Sequence, residues 1–472
     1  MADVDIILAT IPVQNSLTYP QSAPAQLKAV IEQSGFRCVT LDLNLDLWEQ
    51  TRYAWADEYD AMWRFMGPDD FSYDEFQHHW RNGFHRIAVH WMNTIQSYHP
   101  RWLGYSVFHR LNISEFFLKE LCKLARLRLP GTQLVVGGNA ITVTDLGSVL
   151  LEEGLIDAYV SGEGEYAIVE LLNGNLDAAG INGINCTQID DINSLPDADY
   201  SDYAVEKYGG GFTVELSRGC RRRCKFCQMV IPRFTSKMGE KVAEEMIQLQ
   251  HRYGVQLFQF SDCAFNNNGA AFKDCLTTLI GFYERNLMKQ SWLTGNMSCF
   301  PRNQMNEEIY SLMGAARFGN LGIGIESGSE VVRRHMGKHF TDDDIDFALE
   351  QCVKNGIYVG VGVFVGYPTE TEEDFQKTLE LFTRYSRRSW MMQASICAPC
   401  HLFEDTWLYE NQDELGICWD EHGDWFRPET GNNMLVRCER WFRLRDHCKM
   451  LGYDVDDSFA KGVEYDYWKH RG

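Results

Sequence analysis

At 472 residues the chain exceeds what one hydrophobic core usually serves, so two or three domains are expected. Hydrophobic residues at 45% and aromatics at 13% exclude a disordered or low-complexity chain, and no apolar run approaches the length that crosses a bilayer. A formal charge of −22 argues against nucleic acid as a partner, because phosphate contacts supply most of that affinity and would be repelled. The opening MADVDIILATIP carries Asp3 and Asp5 where a secretory signal has positive charge, and the fifteen cysteines are odd in number. Together these predict a reducing, cytoplasmic setting in which thiols act as ligands, reactive groups or core residues. Cys38, Cys122, Cys186, Cys275 and Cys352 stand singly in apolar surroundings and read as core.

In chain order, DVDIILAT predicts a buried strand, APAQLKAVIEQSGF an amphipathic helix closed by Gly35, and CVTLDLN a second strand. RWLGYSVF, NISEFFLKELCKLARLRLPG, TQLVVGG and AYVSGEGEYAIVELL continue the alternation. It predicts an α/β domain over residues 1–172, a doubly wound parallel sheet with ligand loops at the carboxyl ends of its strands. Residues 48–102 interrupt it with a helical insertion holding Trp48, Trp55, Trp63, Trp80, Trp91 and Trp102. That insertion reads as a subdomain with its own aromatic core, or as a lid over a large ligand. Residues 173–211, rich in Gly, Asn and Asp, read as an interdomain linker.

Alternation resumes at Phe212 with FTVELS, VQLFQFSD, SWLTGNMS, GNLGIGIES, YVGVGVFVG and MMQASICA, separated by helical stretches. Six strand–helix repeats over residues 212–410 predict an open (β/α)6 barrel with its reactive groups on the loops at one strand-end face. Residues 411–472 are left as a cap or tail. Those strand-end loops contain VELSRGCRRRCKFCQMV, whose Cys220, Cys224 and Cys227 have C-x3-C-x2-C spacing and no fourth thiol or imidazole nearby in sequence. Zinc wants four tight ligands, so an iron–sulfur cluster fits better; three thiolates leave one iron of a four-iron cube open to a small molecule.

This spacing, with Phe226 before the third cysteine and a strand in front, resembles the radical S-adenosylmethionine superfamily. The resemblance covers residues 212 to about 410. It implies that Cys220, Cys224 and Cys227 hold a 4Fe–4S cluster whose open iron chelates S-adenosylmethionine, which an electron then cleaves to a 5′-deoxyadenosyl radical. GIGIESGSEVVRRHMGK resembles the fourth-strand element, implying Glu326 and Ser327 at the ribose and methionine end of the cofactor. GVGVFVGYPTETEEDF resembles the fifth-strand element, implying Gly362 and Val363 near the adenine, and SDCAFNN the second-strand loop, implying Asp262 near the amino group. Arg218, Arg221, Arg222, Arg223 and Lys225 form a positive island, read either as local charge balance for the cluster or as a docking patch for an acidic flavodoxin or ferredoxin type of electron donor.

The first 172 residues and the phrase INSLPDADYSDY resemble the cobalamin-binding branch of that superfamily. This implies Asn15, in the loop Pro12 to Asn15, facing the corrin, and Ser106, Gly137, Gly138, Gly162 and Glu163 around the nucleotide tail. D-x-H-x-x-G, the source of a histidine ligand in other cobalamin proteins, is absent. With cobalamin the implied reaction is methyl transfer to a peptide or small-molecule substrate. Without it, Cys397 in QASICAPC becomes a candidate hydrogen donor for a peptide epimerase. Cys418, Cys438 and Cys448 leave an auxiliary cluster open, and a non-catalytic sensor or accessory subunit is the reading outside enzymology.

Overall fold

The computed structural model describes residues 3–12, 18–51, 72–108, 112–178, 180–183, 188–228, 233–404 and 406–471. They form two compact units that divide between Thr213 and Val214.

In the first unit β1 (Val4–Thr10), β2 (Cys38–Asp42), β3 (Pro100–Ser106), β4 (Gln133–Gly137) and β5 (Ala158–Val160) make a parallel sheet in the order β2-β1-β3-β4-β5. The apolar run of β1 is continuous because both faces are covered. Ile7 and Ala9 enter one core with Leu103 and Tyr105, while Ile6 and Leu8 enter the other with Trp102 and Val135. Strand order reverses between β1 and β3, which marks the crevice at their carboxyl ends as the ligand position of this topology.

The insertion is shorter than the sequence suggests. Its helices Leu43–Thr51, Tyr73–His79 and His85–Ser97 end before Pro100, and Trp102 is a buried residue of β3. Trp80 and Trp91 join Phe76 and Phe84 in the core on the sheet face, and the Trp91 indole donates to Asp46. The aromatic residues therefore extend the core of the sheet and do not form a separate one. Trp55 and Trp63 lie outside the described residues.

Residues 188–208 are not a free linker. Ile189, Ile192, Tyr200, Tyr203, Val205 and Tyr208 are buried. Lys28, its side chain 5% exposed, pairs with Asp202 at 2.7 Å and Asp199 at 3.7 Å. Asp202 also accepts from the Thr40 backbone, and the Tyr208 hydroxyl donates to Asp42. A polar, aperiodic sequence packs here because its aromatics and isoleucines supply the apolar area and its aspartates the ionic contacts.

The second unit holds a seven-stranded sheet in the order β16-β13-β12-β11-β10-β9-β6, from β6 (Gly211–Val214), β9 (Leu257–Phe260), β10 (Trp292–Ser298), β11 (Phe318–Glu326), β12 (Tyr358–Val363), β13 (Met392–Ile396) and β16 (Asp454–Asp456). Six strands are those expected from the repeats; the seventh comes from the tail and pairs parallel with β13. The remainder of the tail is ordered too. Hairpin strands β14 (Cys418–Trp419) and β15 (Trp425–Phe426) precede the helices Met434–Met450 and Ala460–Arg471.

Lys28→Met should release the 188–208 segment: unfolding stability falls by about 1–3 kcal/mol, and limited proteolysis cuts first inside that segment. Unchanged proteolysis would mean that the ion pair does not hold it.

Candidate active site

The three cysteines lie on a stretch without regular structure after β7 (Ser217–Arg218), so side chains from neighbouring strand ends have to fix its path. The buried Asp262, just beyond β9, accepts from the Leu216 backbone at 3.0 Å and from the Ser217 hydroxyl. Asn267, on the same loop, donates to Cys220 Sγ at 3.5 Å, and the Arg222 backbone donates to that sulfur at 3.4 Å. Lys225 N donates to Met336 O, and Leu408 N to Lys225 O. Phe226 packs on Phe364 at 5.1 Å and against a cluster containing Val332, Met336, Leu408 and Trp425.

Beside this loop, Glu326 ends β11 at φ +71, where β11 shifts register against β12. Its Oε1 accepts from Lys338 Nζ at 2.6 Å, and both side chains are mostly buried, 15% and 9% exposed. Lys338 also donates to the Gly324 carbonyl. A Cβ at Gly324 would stand 2.5 Å from Glu326 Oε1 and 3.2 Å from Lys338 Nζ, which is why the run reads GIGIES. A left-handed backbone at a non-glycine residue, held by a buried ion pair, is the kind of strain that functional sites carry.

Burial pushes the Cys224 thiol up, against the pull of Lys338 and Arg222. Cys227 is pushed up to about 11 by burial and by the nearby thiols Cys224, Cys263 and Cys220. Cys263 is thus a fourth thiol at the site, delivered by the β9 loop. Sequence spacing hides it, because more than thirty positions separate it from Cys227. Three thiols on one loop, with Asn267 and the Arg222 backbone already donating to the Cys220 sulfur, are a donor set of the kind that holds an iron–sulfur cluster.

Residues 214–382 match the family described as the Radical SAM superfamily. Residues 214–382 are a radical SAM domain. Among curated relatives, an uncharacterised methyltransferase of Pyrococcus horikoshii is 26% identical over 283 residues, 55% of this chain and 60% of that one. A putative methylthiotransferase of Methanocaldococcus jannaschii is 26% identical over 293 residues, 58% of this chain and 63% of that one. The matches thus span less than two thirds of the length of those relatives. Among solved structures, the radical S-adenosylmethionine methyltransferase TsrM from Kitasatospora setae, with cobalamin and a 4Fe–4S cluster bound, has a TM-score of 0.66 at 17% identity, covering 99% of both chains. The cobalamin-dependent radical enzyme OxsB with aqua-cobalamin bound gives 0.61 at 16% identity, over 87% of this chain and 56% of that one. Both units of this chain therefore share the fold of TsrM and OxsB.

Not every residue implied by the resemblance faces the site. Ser327 is fully buried, its hydroxyl taking the Ser329 backbone N–H and its carbonyl taking Arg333. Asp262 is occupied in holding the cysteine loop. Gly362 and Val363 lie in β12, Val363 opposite Glu326 and fully buried. Of the positive island, Arg222 donates to the Cys299 carbonyl and lies over Phe300, Arg218 pairs with Glu215, and Lys225 sits over Trp407 at 3.7 Å. Arg221 and Arg223 are the exposed members. Cys438 and Cys448 are buried ten positions apart on one helix, about 15 Å along its axis, so they do not share a cluster.

Cys397 lies just past β13, not within it. Its N–H donates to Val363 O, its carbonyl accepts from Trp441, and its exposed thiol is near enough to feel Glu326 and Lys338. In the first unit, Ser106, Gly137, Gly138, Gly162 and Glu163 all gather at the carboxyl edge of the sheet, whereas Asn15 falls outside the described residues. Gly138 has φ +110 and a Cβ there would lie 2.5 Å from Val107 O. Gly162 N donates to Thr142, and the Glu163 carboxylate accepts from Ile189 N at 2.7 Å.

Two outcomes test this geometry. Alanine at Cys220, Cys224 or Cys227 should abolish the iron content of reconstituted protein, whereas Cys263→Ala should retain about four irons per chain; equal loss in all four variants would mean a cluster closed by Cys263. Burial pushes the Asp262 carboxyl up to about 7 against its donors Ser217 and Leu216. A carboxyl raised from about 3.9 contributes stability that is full at low pH and is lost as the pH climbs towards 7. Asp262→Asn can still accept from Leu216 and donate to Ser217, so its Tm should vary less over about pH 5 to 8 than the parent's.

Proposed function

We propose that the chain is a radical SAM methyltransferase that binds a 4Fe–4S cluster, S-adenosylmethionine and cobalamin and acts on a small organic substrate. The observation that carries this is the cysteine loop, latched by Asp262 and Asn267 beside the Glu326–Lys338 pair, in a chain whose whole length has the fold of cobalamin-bound TsrM. Cys220, Cys224 and Cys227 would hold the cluster, and the β1/β3 crevice with Ser106, Gly137, Gly138 and Gly162 would take the cobalamin. When bound, the cluster and S-adenosylmethionine supply a radical that takes hydrogen from the substrate, and cobalamin supplies the methyl group.

The chain's own residues orient and neutralise. Lys338 offsets the Glu326 charge through Oε1, leaving Oε2 to accept from a hydroxyl or ammonium group. Phe226 packs on Phe364 immediately before the third cysteine and anchors that end of the loop. Gly138, whose positive φ and close contact with Val107 O admit no side chain, keeps the strand-end edge of the first unit free of bulk. The exposed Arg221 and Arg223 offer charge to an acidic flavodoxin- or ferredoxin-type donor.

Cys397 favours a second reading, a peptide epimerase in which this exposed thiol, just past the end of β13, returns hydrogen to Cα. One experiment separates the two. Anaerobic protein is reconstituted with iron, sulfide and hydroxocobalamin, gel-filtered, and incubated with S-adenosylmethionine and reductant. Retained corrin bands, with S-adenosylhomocysteine formed by the parent and by Cys397→Ala alike but not by Cys224→Ala, support methyl transfer. Absence of corrin, with Cα deuterium incorporated into peptide from D2O only when Cys397 is present, supports the epimerase.

A further inference from the structure

Away from the cysteine loop, the hairpin Trp419-Asp420-Glu421-His422-Gly423-Asp424-Trp425 meets the last helix. Asp420, Asp424 and His470 each turn one ligand atom to a common point, all within 4.8 Å of one another. Asp420 Oδ1 accepts from the His422 and Asp424 backbone N–H groups, both at 2.9 Å, which holds the loop closed and leaves Oδ2 facing His470. His470 Nε2 lies 2.9 Å from Asp424 Oδ2 and 3.5 Å from Asp420 Oδ2.

The imidazole is the informative group. Its side chain is 7% exposed, and Nδ1 lies 2.8 Å from the Asp466 carbonyl. A carbonyl only accepts, so Nδ1 carries a proton, and in the neutral ring Nε2 is a bare lone pair. Nε2, buried, faces two carboxylates that only accept, and in spite of the 2.9 Å separation it makes no hydrogen bond in this orientation. A ring N–H on Nε2 would miss the oxygens, whereas a cation between the three atoms would meet all of them. Lys469 reaches Asp424 Oδ2 at 3.2 Å and the His422 carbonyl at 3.5 Å, so it offsets one of the two negative charges.

We propose that Asp420, Asp424 and His470 form a zinc site that clamps the last helix to the β14–β15 hairpin. One imidazole nitrogen and two carboxylate oxygens suit Zn²⁺ at about 2.0–2.2 Å, with water completing a tetrahedron. The backbone carbonyl on Nδ1 is the outer partner that zinc-bound histidines usually have. The clamp bears on the cysteine loop: Trp425, next to Asp424, is buried in the cluster against which Phe226 packs, and its indole donates to the Cys400 carbonyl. This site stands apart from the proposed reaction and holds whether or not methyl transfer is correct.

The test uses full-length protein with its cluster reconstituted, so that iron occupies the cysteine loop, dialysed anaerobically against buffered micromolar zinc. Mass spectrometry of the metals should find one zinc per chain besides the iron, and the zinc absorption edge should show nitrogen and oxygen ligands without sulfur. Asp424→Asn and His470→Gln should lose at least the roughly 10–100-fold in affinity that removing even an outer partner costs, while Glu421→Gln, on the exposed side of the same loop, keeps the zinc. Tm should rise with zinc in the parent and not in the two variants. Zinc absent from the parent, retained equally by both variants, or bound through sulfur would overturn the proposal; should the variants fail to fold, the parent's stoichiometry and edge decide it alone.

Discussion

The hydrogen bonds from Leu216 and Ser217 to the buried carboxylate of Asp262 fix where the cysteine loop leaves the sheet. Nothing regular continues the backbone from Gly219 to Gln228, so the conformational entropy of that stretch has to be offset by side chains from elsewhere. Asp262 and Asn267 act from the β9 side, Met336 and Leu408 from the far side, and the three sulfurs are displayed between them. Parallel strands make this economical, because every carboxyl end in the sheet opens to the same edge.

The Glu326–Lys338 pair has a different logic. A buried ion pair adds little to stability when its desolvation is counted. Here it holds a carboxylate in a strained backbone position at the end of β11. The two glycines of GIGIES show how tightly that arrangement is built, since side chains at Gly322 or Gly324 would strike Asn296 or Glu326.

Legibility in the sequence followed the range of the physics. Strand and helix alternation is local, and both sheets were readable from it, down to the strand ends that hold Ser106, Gly137 and Gly162. That Cys220, Cys224 and Cys227 share one strand-end loop was readable because their spacing is short. Cys263 was not, since only the folded β9 loop brings it there, nor was Lys338, whose role depends on a carboxylate twelve residues away across the short helix Glu330–His335. Ser327 lies in a motif whose neighbour faces the site, yet the register shift at Glu326 turns the serine inward. The segment 188–208 was misread through its polar composition, because burial there is carried by a few aromatics and isoleucines among aspartates. Residues 454–456 form too short a strand, DVD, for any periodicity to reveal.

That short strand governs the order in which the molecule can be completed. β16 pairs with β13 only after the hairpin and the helix Met434–Met450 have been made. A ribosome therefore releases the first unit ready to fold while the second still has an open sheet margin at β13, a template for unwanted strand pairing until the tail arrives. Nascent chains stalled between residues 400 and 450 would be the aggregation-prone species of this protein, and the stretch most in need of a chaperone during synthesis.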